Sequence, residues 1–398
     1  MNQTMNEVTN SKYDWKTIDL VIRKEIILLP NEICDTIMDF LRYEECYIGF
    51  PNYSWYIKAT RLNKLSVLKA IPSWGYKVHN DNVNHLLDIA CKNKTQNNVD
   101  LVKYLVEQGA DVEAKGYYKF TPLHNACESG NLDVVKYLVE EKGADVKAKN
   151  HWNSTPLHLV CGNLELVKYL VEQGADVKIK DEGNDTPLHN ACWKGNLDVV
   201  KYLVEQGAVM EAKNIYNATP LHNACRYGNL DIVKYLVEQG ADMEAKDNEN
   251  NTSLHNACWY GKLDKVKYLV EQGADVNAKG CHNNTPLHFA CESGNLDIVK
   301  YLVEEKGADM EAKCYDNYTP LHFASCYKGN LDVVKYLVEQ GAEMEAKGKY
   351  NKTPLYNACE NGNVDVVKYL VEQGADVRAI SIKTTWNNYI KKYLRSVI

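Results

Sequence analysis

The sequence predicts an all-α solenoid: antiparallel helix pairs stacked side by side, turns protruding between them, and a helical cap at each end. Three observations predict it. A block of about 33 residues recurs along most of the chain, with Thr-Pro-Leu-His beginning at Thr121, Thr155, Thr186, Thr219, Thr285 and Thr319. Thr-Ser-Leu-His at Thr252 and Thr-Pro-Leu-Tyr at Thr353 keep the register, so successive starts differ by 34, 31, 33, 33, 33, 34 and 34. Inside each block, start signals, stop signals and apolar spacing spell two short helices. Neither helix is long enough to bury its apolar face alone, so neighbouring blocks must stack to make a core.

The block from Thr121 serves as the pattern. Thr121 N-caps the first helix, its hydroxyl accepting from the amide of His124. Pro122 follows at the first helical position, where a missing N–H costs nothing. Gly130 closes this helix in the left-handed conformation. Asn131 caps the second helix, whose Leu132, Val135, Leu138 and Val139 form a stripe at helical spacing, and Gly143 ends it. Helices are therefore expected at Pro122–Glu128 and Leu132–Glu140. A ninth copy lies upstream, with Ala90-Cys91 and Leu101 to Val112 in register. A worn tenth runs from Ala59 to Val78, where Leu65, Val67, Leu68, Lys69, Ile71, Gly75 and Val78 match.

These residues closely resemble the ankyrin-repeat family, with its period of about 33, its Thr-Pro-Leu-His-x-Ala signature and its protruding turn. The resemblance covers residues 54–380, leaving 1–53 and 381–398 as flanking segments. It implies a binding protein without catalysis, whose copied residues hold the fold and whose variable ones meet a partner. Where the family usually places Gly two residues before the Thr, this chain has Asn153, Asn184, Asn217, Asn250, Asn283, Asn317 and Asn351. Asn is the next residue able to take positive φ, so the turn should survive. The Asn-x-Thr sequons that result are read as turn chemistry.

Three departures stand out. The block from Thr155 reads Val160-Cys161-Gly162 and lacks two residues, so its first helix should be about half a turn shorter. Two blocks carry an added residue before the closing Gly, at Glu141-Lys142 and Glu305-Lys306. Tyr356 replaces the signature His in the last full block, which puts the bonds of that His in doubt there.

Composition narrows the function. The net charge of −7 argues against a nucleic-acid partner. No stretch approaches the roughly 20 apolar residues of a membrane span, and the polar stretch from Met1 to Asp14 lacks a secretory core. Of thirteen cysteines, Cys91, Cys127, Cys161, Cys192, Cys225, Cys258, Cys291 and Cys359 share one place in their blocks. Helices packed about 8–10 Å apart hold such a ladder beyond disulfide reach. It reads as small buried residues in a reducing, intracellular compartment, with Cys281 and Cys314 at turn tips. His124 and Cys127 offer two ligands per block where a metal needs four, so no metal and no cofactor are expected. The ladder Tyr104, Tyr137, Tyr169, Tyr202, Tyr235, Tyr268, Tyr301, Tyr336 and Tyr369 reads as packing between blocks. No nucleotide loop or nucleophile motif appears.

Two sets of positions vary. One is the turn tip, with Tyr117, Tyr118, Phe120, Trp152, Ile215, Tyr216, Tyr315, Tyr318 and Tyr350. The other is the slot after Ala-Cys on the first helix: Glu128-Ser129, Trp193-Lys194, Arg226-Tyr227, Trp259-Tyr260, Glu292-Ser293, Tyr327-Lys328 and Glu360-Asn361. The resemblance places these on the concave groove. Trp, Tyr and Arg are the residues enriched at binding hot spots, so Trp193, Arg226, Tyr227, Trp259 and Tyr260 are expected to form one aromatic-basic patch for a protein partner. Packing beneath neighbouring turns is the competing reading.

The ends differ from the blocks. The string from Leu29 to Leu41, opening Leu29-Pro30-Asn31-Glu32, resembles the start of an F-box, which implies recruitment of a ubiquitin ligase. Its alternative is a helical cap on the first block. At the other end Trp386, Tyr389, Ile390, Tyr393, Leu394 and Val397 form one amphipathic helix, read as a cap or a membrane-surface helix. The chain is expected to be a monomeric, cytoplasmic scaffold. Near-identical blocks suggest recent duplication and raise delivery into a host cell.

Overall fold

The computed structural model describes residues 53–70, 80–94, 98–326, 330–380 and 387–397. The Leu29–Leu41 string lies outside them, as do Ile71, Gly75, Val78, Tyr327, Lys328 and Trp386. The chain divides into two compact units, residues 1–176 and 177–398. Among the described residues every element is helical and none is a strand.

In the first unit the helices pair in order: Tyr53–Arg61 with Leu65–Ala70, Asn80–Lys92 with Val99–Glu107, Pro122–Ser129 with Leu132–Lys136, and Pro156–Leu159 with Leu164–Glu172. The second unit continues with Pro187–Lys194 and Leu197–Glu205, Pro220–Arg226 and Leu230–Glu238, and Ser253–Trp259 and Leu263–Glu271. Pro286–Ser293 with Leu296–Lys300, Pro320–Cys326 with Leu331–Glu339, and Pro354–Glu360 with Val364–Glu372 complete it. A last helix, Asn388–Val397, packs on Val364–Glu372 through buried Ile390 and Leu394. Tyr389 and Val397, expected in its apolar stripe, are exposed. In the second unit first helices lie closer to one another than second helices do. The stack therefore curves toward the first-helix side.

Local chemistry follows the expected signals. Thr121 N-caps Pro122–Ser129 and Gly130 closes it at φ 83°. The amide of Val134 donates to Asn131 at the start of the second helix. All seven turn asparagines, Asn153 through Asn351, sit at positive φ. Ala126, Cys127, Val134, Val135 and Leu138 are buried, as are their equivalents along each unit. The tyrosine ladder does bridge repeats: Lys103 lies over Tyr137, Lys234 over Tyr268 and Lys267 over Tyr301, each cation one repeat before its ring.

The three departures each have a structural outcome. In the repeat from Thr155 the first helix keeps only 4 residues against 8 in the repeat from Thr121. The loss is about a full turn, not the half turn expected. Losing two residues also removes the left-handed glycine cap, since Val160 leaves the helix and its carbonyl takes the amide of Asn163. The added residues are absorbed in the second helix, which continues as a π turn at Tyr137–Glu141 and at Tyr301–Glu305. An i→i+5 turn takes up one extra residue while the helix on either side keeps its face. At Tyr356 the helix start survives, its amide still donating to Thr353 Oγ1 at 3.3 Å.

One cysteine assignment is overturned. Cys314 is 7% exposed and not at a turn tip. Its amide donates to the carbonyl of Tyr318 across the base of the turn, the place that Asn150 and Asn214 hold in their own turns. Cys281 is partly exposed, as is Cys326. All eight ladder cysteines are buried.

Candidate interaction surface

The copied residues build a rigid frame. In each of seven repeats the backbone amide of the capping Thr donates to Nδ1 of the signature His: Thr121 to His124, Thr155 to His158, Thr186 to His189, Thr219 to His222, Thr252 to His255, Thr285 to His288 and Thr319 to His322. An accepting Nδ1 carries no proton, so the proton sits on Nε2. In His124, His189, His222, His255, His288 and His322 that atom donates forward to the next turn, to the carbonyls of Ser154, Ala218, Asn251, Asn284, Tyr318 and Lys352 at 3.1–3.2 Å. Burial disfavours the imidazolium and pushes His255, His288 and His322 down to about 4. Both ring nitrogens are engaged, Nδ1 within its own repeat and Nε2 with the next turn. Burial likewise pushes the Cys225 thiol up to about 12, so the ladder is packing. Among the described residues no group of three or more His, Cys, Asp or Glu is placed to hold a metal, and no helix is long and apolar enough to cross a membrane.

The variable slot stands on this frame in the second unit. Trp193 ends the helix Pro187–Lys194 with 49% of its surface exposed, and Lys194 Nζ lies 4.7 Å over its ring. Trp193 meets Tyr227 of the next repeat edge-on at 6.4 Å, and Tyr227 meets Tyr260 of the repeat after that at 6.1 Å. The Arg226 guanidinium lies over both tyrosine rings, 4.7 Å from Tyr227 and 4.9 Å from Tyr260. These five side chains are contiguous. Trp259 departs from the expected patch. Its ring turns to Phe289 of the following repeat, edge-on at 5.3 Å, and among the described residues no ring contact joins it to Tyr227 or Tyr260. The reason is the neighbour: the next slot offers Ser293 where Tyr227 or Tyr260 stand in theirs.

Two participants were missed from sequence. Phe289 occupies a place held by Asn125, Asn190, Asn223, Asn256 and Asn357 elsewhere, and that exchange was the available signal. It also stacks edge-on against His255. The second is Lys265, which stands where Val199, Ile232, Ile298 and Val333 stand in other repeats. It is buried, and its Nζ donates to the carbonyls of Ala224 at 3.0 Å, Cys225 at 3.1 Å and Gly228 at 2.6 Å. A cation thus closes the C-terminal end of Pro220–Arg226, where the helix dipole favours positive charge. Burial lowers the Lys265 pKa. The repeat accordingly dispenses with a left-handed glycine: Gly195 and Gly261 have positive φ and Gly228 does not.

Turn tips contribute a separate set in each unit. In the first unit Tyr118, at φ 53°, stacks on Tyr117 at 3.9 Å and on Trp152 at 4.7 Å, and Phe120 meets Trp152 edge-on. In the second unit Tyr216 and Tyr315 are exposed, Tyr315 by 74%. Backbone bonds tie their turns to neighbours: Ile215 donates to the Gly183 carbonyl, Asn248 to the Tyr216 carbonyl and Tyr315 to the His282 carbonyl. Tyr318 is no tip residue, since it covers His322 at 5.0 Å.

Fold and surface together define a helical-repeat protein that displays variable side chains on a copied frame. A family model of ankyrin repeats matches residues 57–150, 142–214, 210–280, 278–347 and 312–381. The chain belongs to the ankyrin-repeat family, whose repeats serve protein–protein interaction. No curated protein matches it.

Proposed function

We propose that this chain is a non-enzymatic scaffold that holds a protein partner on the first-helix face of the repeats from Thr186, Thr219 and Thr252, with the turn tips as further contacts. The observation that carries the reading is the exposed, mutually stacked set Trp193, Tyr227 and Tyr260 around Arg226. These identities vary between otherwise copied repeats, so the frame does not require them. Contiguous exposed aromatics mark interaction sites, and aromatic and Arg anchors carry most of the energy where such sites bind. Trp259 extends the surface toward Phe289 while also packing on it. The protein acts in the cytoplasm as a monomer, in its own cell or in a host.

The test is capture of a partner by the full chain, followed by affinity measurement on variants. Trp193→Ala and Tyr227→Ala should each weaken binding at least about tenfold. The same change at Glu292 should do much less. Affinity unchanged in both aromatic variants would remove the groove from the interface. A second reading rests on Leu29-Pro30-Asn31-Glu32: the chain is a substrate receptor that recruits a ubiquitin ligase. Replacing Leu29 and Pro30 in the full chain should abolish ligase-adaptor capture while leaving groove binding intact.

A further inference from the structure

We infer that the partner segment seated on the Arg226 patch is acidic, and that a carboxylate of that segment docks on the Arg226 guanidinium. The inference rests on the groove reading above and names the chemistry of its occupant. Three independent placements point to an anion. Arg226 lies over the rings of Tyr227 and Tyr260, which holds its plane. A guanidinium has five N–H groups. With its faces covered, the free N–H edge is the part left for a ligand, and its fork matches a carboxylate in bidentate geometry. Among the described residues no carboxylate pairs with Arg226 or with Lys194.

The second placement is beneath the first. Lys265 brings a buried cation to the carbonyls of Ala224, Cys225 and Gly228, which bracket Arg226 and Tyr227 in the chain. Its three hydrogen bonds go to neutral carbonyls, and its charge is left without a carboxylate bonded to it. A buried charge is screened weakly by solvent, so it adds to the potential at the slot above. The third is Lys194 over Trp193, on the near side of the same patch. A chain of net charge −7 therefore carries a positive island where its aromatic side chains are exposed. Three other slots carry the opposite sign, at Glu128, Glu292 and Glu360. Glu292 sets a limit to the footprint, since an acidic segment running past Trp259 meets like charge. Aromatic rings beside the cations add apolar contact, so the fitting segment carries acidic residues flanked by apolar ones.

The test pans a phage-displayed random peptide library on the full chain and repeats it on variants. Enriched peptides should be rich in Asp and Glu beside apolar residues. Arg226→Gln should weaken the enriched peptides about tenfold or more and erase the acidic excess in a fresh selection. Lys265→Val, which restores the residue type of the other repeats, also removes the donor to three carbonyls, so binding is measured at a temperature where the variant is folded; there acidic peptides should weaken several-fold while an uncharged apolar peptide does not, as expected of a charge effect. An enriched set lost in Trp193→Ala but without acidic excess overturns the inference and leaves the groove reading standing. Enriched peptides indifferent to Trp193→Ala and Tyr227→Ala overturn the groove reading itself. No enrichment, or binding confined to a phosphoserine peptide probe, also overturns the carboxylate assignment.

Discussion

Mild acid should destabilise the second unit, and the histidine linkage sets the size of the effect. Each His is neutral in the folded chain, accepting at Nδ1 and donating from Nε2, so protonation would break the bond from the capping Thr. Folding holds His255, His288 and His322 down at about 4, whereas an unfolded His titrates near ~6.5. A group whose folded pKa is depressed in this way favours the folded state above about pH 6.5 and loses that advantage as pH falls toward about 4. At about pH 5 the unfolded state gains roughly 1.5 pK units per site, about 2 kcal/mol each. The three together approach about 6 kcal/mol, a large share of the roughly 5–15 kcal/mol that holds an ordinary domain. Burial lowers His189 and His222 in the same direction. Carboxylates titrate near ~4 and remain mostly ionised in this window, so the histidines are read separately. Urea unfolding followed by circular dichroism between about pH 7 and pH 5 is the assay. The stability slope near pH 5 should correspond to about three protons or more taken up on unfolding. A midpoint unchanged between those values, or a slope below one proton, would refute the assignment of buried neutral imidazoles.

Three further outcomes follow from the packing. Trp259→Ala should cost about 2 kcal/mol of stability, because Trp259 is only 41% exposed and stacks on Phe289, and Trp193→Ala should cost less; equal urea midpoints for the two variants would contradict this. A thiol-reactive dye mapped by mass spectrometry should label Cys281 and Cys326 well before Cys314 and the eight ladder cysteines, and rapid labelling of the ladder would show that the first helices are not packed as described. In hydrogen exchange the amides around Val160 to Asn163 should protect less than those of Pro286–Ser293, since the first helix there has 4 residues and no left-handed glycine cap; equal protection would count against it.

The frame was legible because it is repeated. Thr, Pro, Gly and Asn act on the few residues beside them, so each can be read without knowing the rest of the fold. Copying the pattern removed any ambiguity about period. The slot was legible for the complementary reason: it varies where everything else is copied. What escaped was the direction of side chains across repeats. Trp259 and Tyr260 are neighbours in sequence, yet one turns to Phe289 and the other to Tyr227, and only the volume offered by the next repeat decides that. Lys265 escaped because its place reads as core, where a cation is admissible only if three carbonyls converge on it. Cys314 was misplaced because a turn has a base as well as a tip. Half a turn was forecast lost at Thr155, but removing residues also removed the cap, and the helix unwound back to Leu159.

The histidine linkage has a direction. Each of the six linked imidazoles reaches forward to the turn of the following repeat. A repeat inserted anywhere between Thr186 and Thr353 would find a donor behind it and supply one ahead, so the array can lengthen internally with its hydrogen bonding intact. After Tyr356 that continuity stops: its phenol ring lies under Lys352 and has no imidazole N–H to hand on. Copying in the middle of the array therefore keeps this linkage, whereas a copy placed after the repeat of Tyr356 would have no imidazole donor behind it.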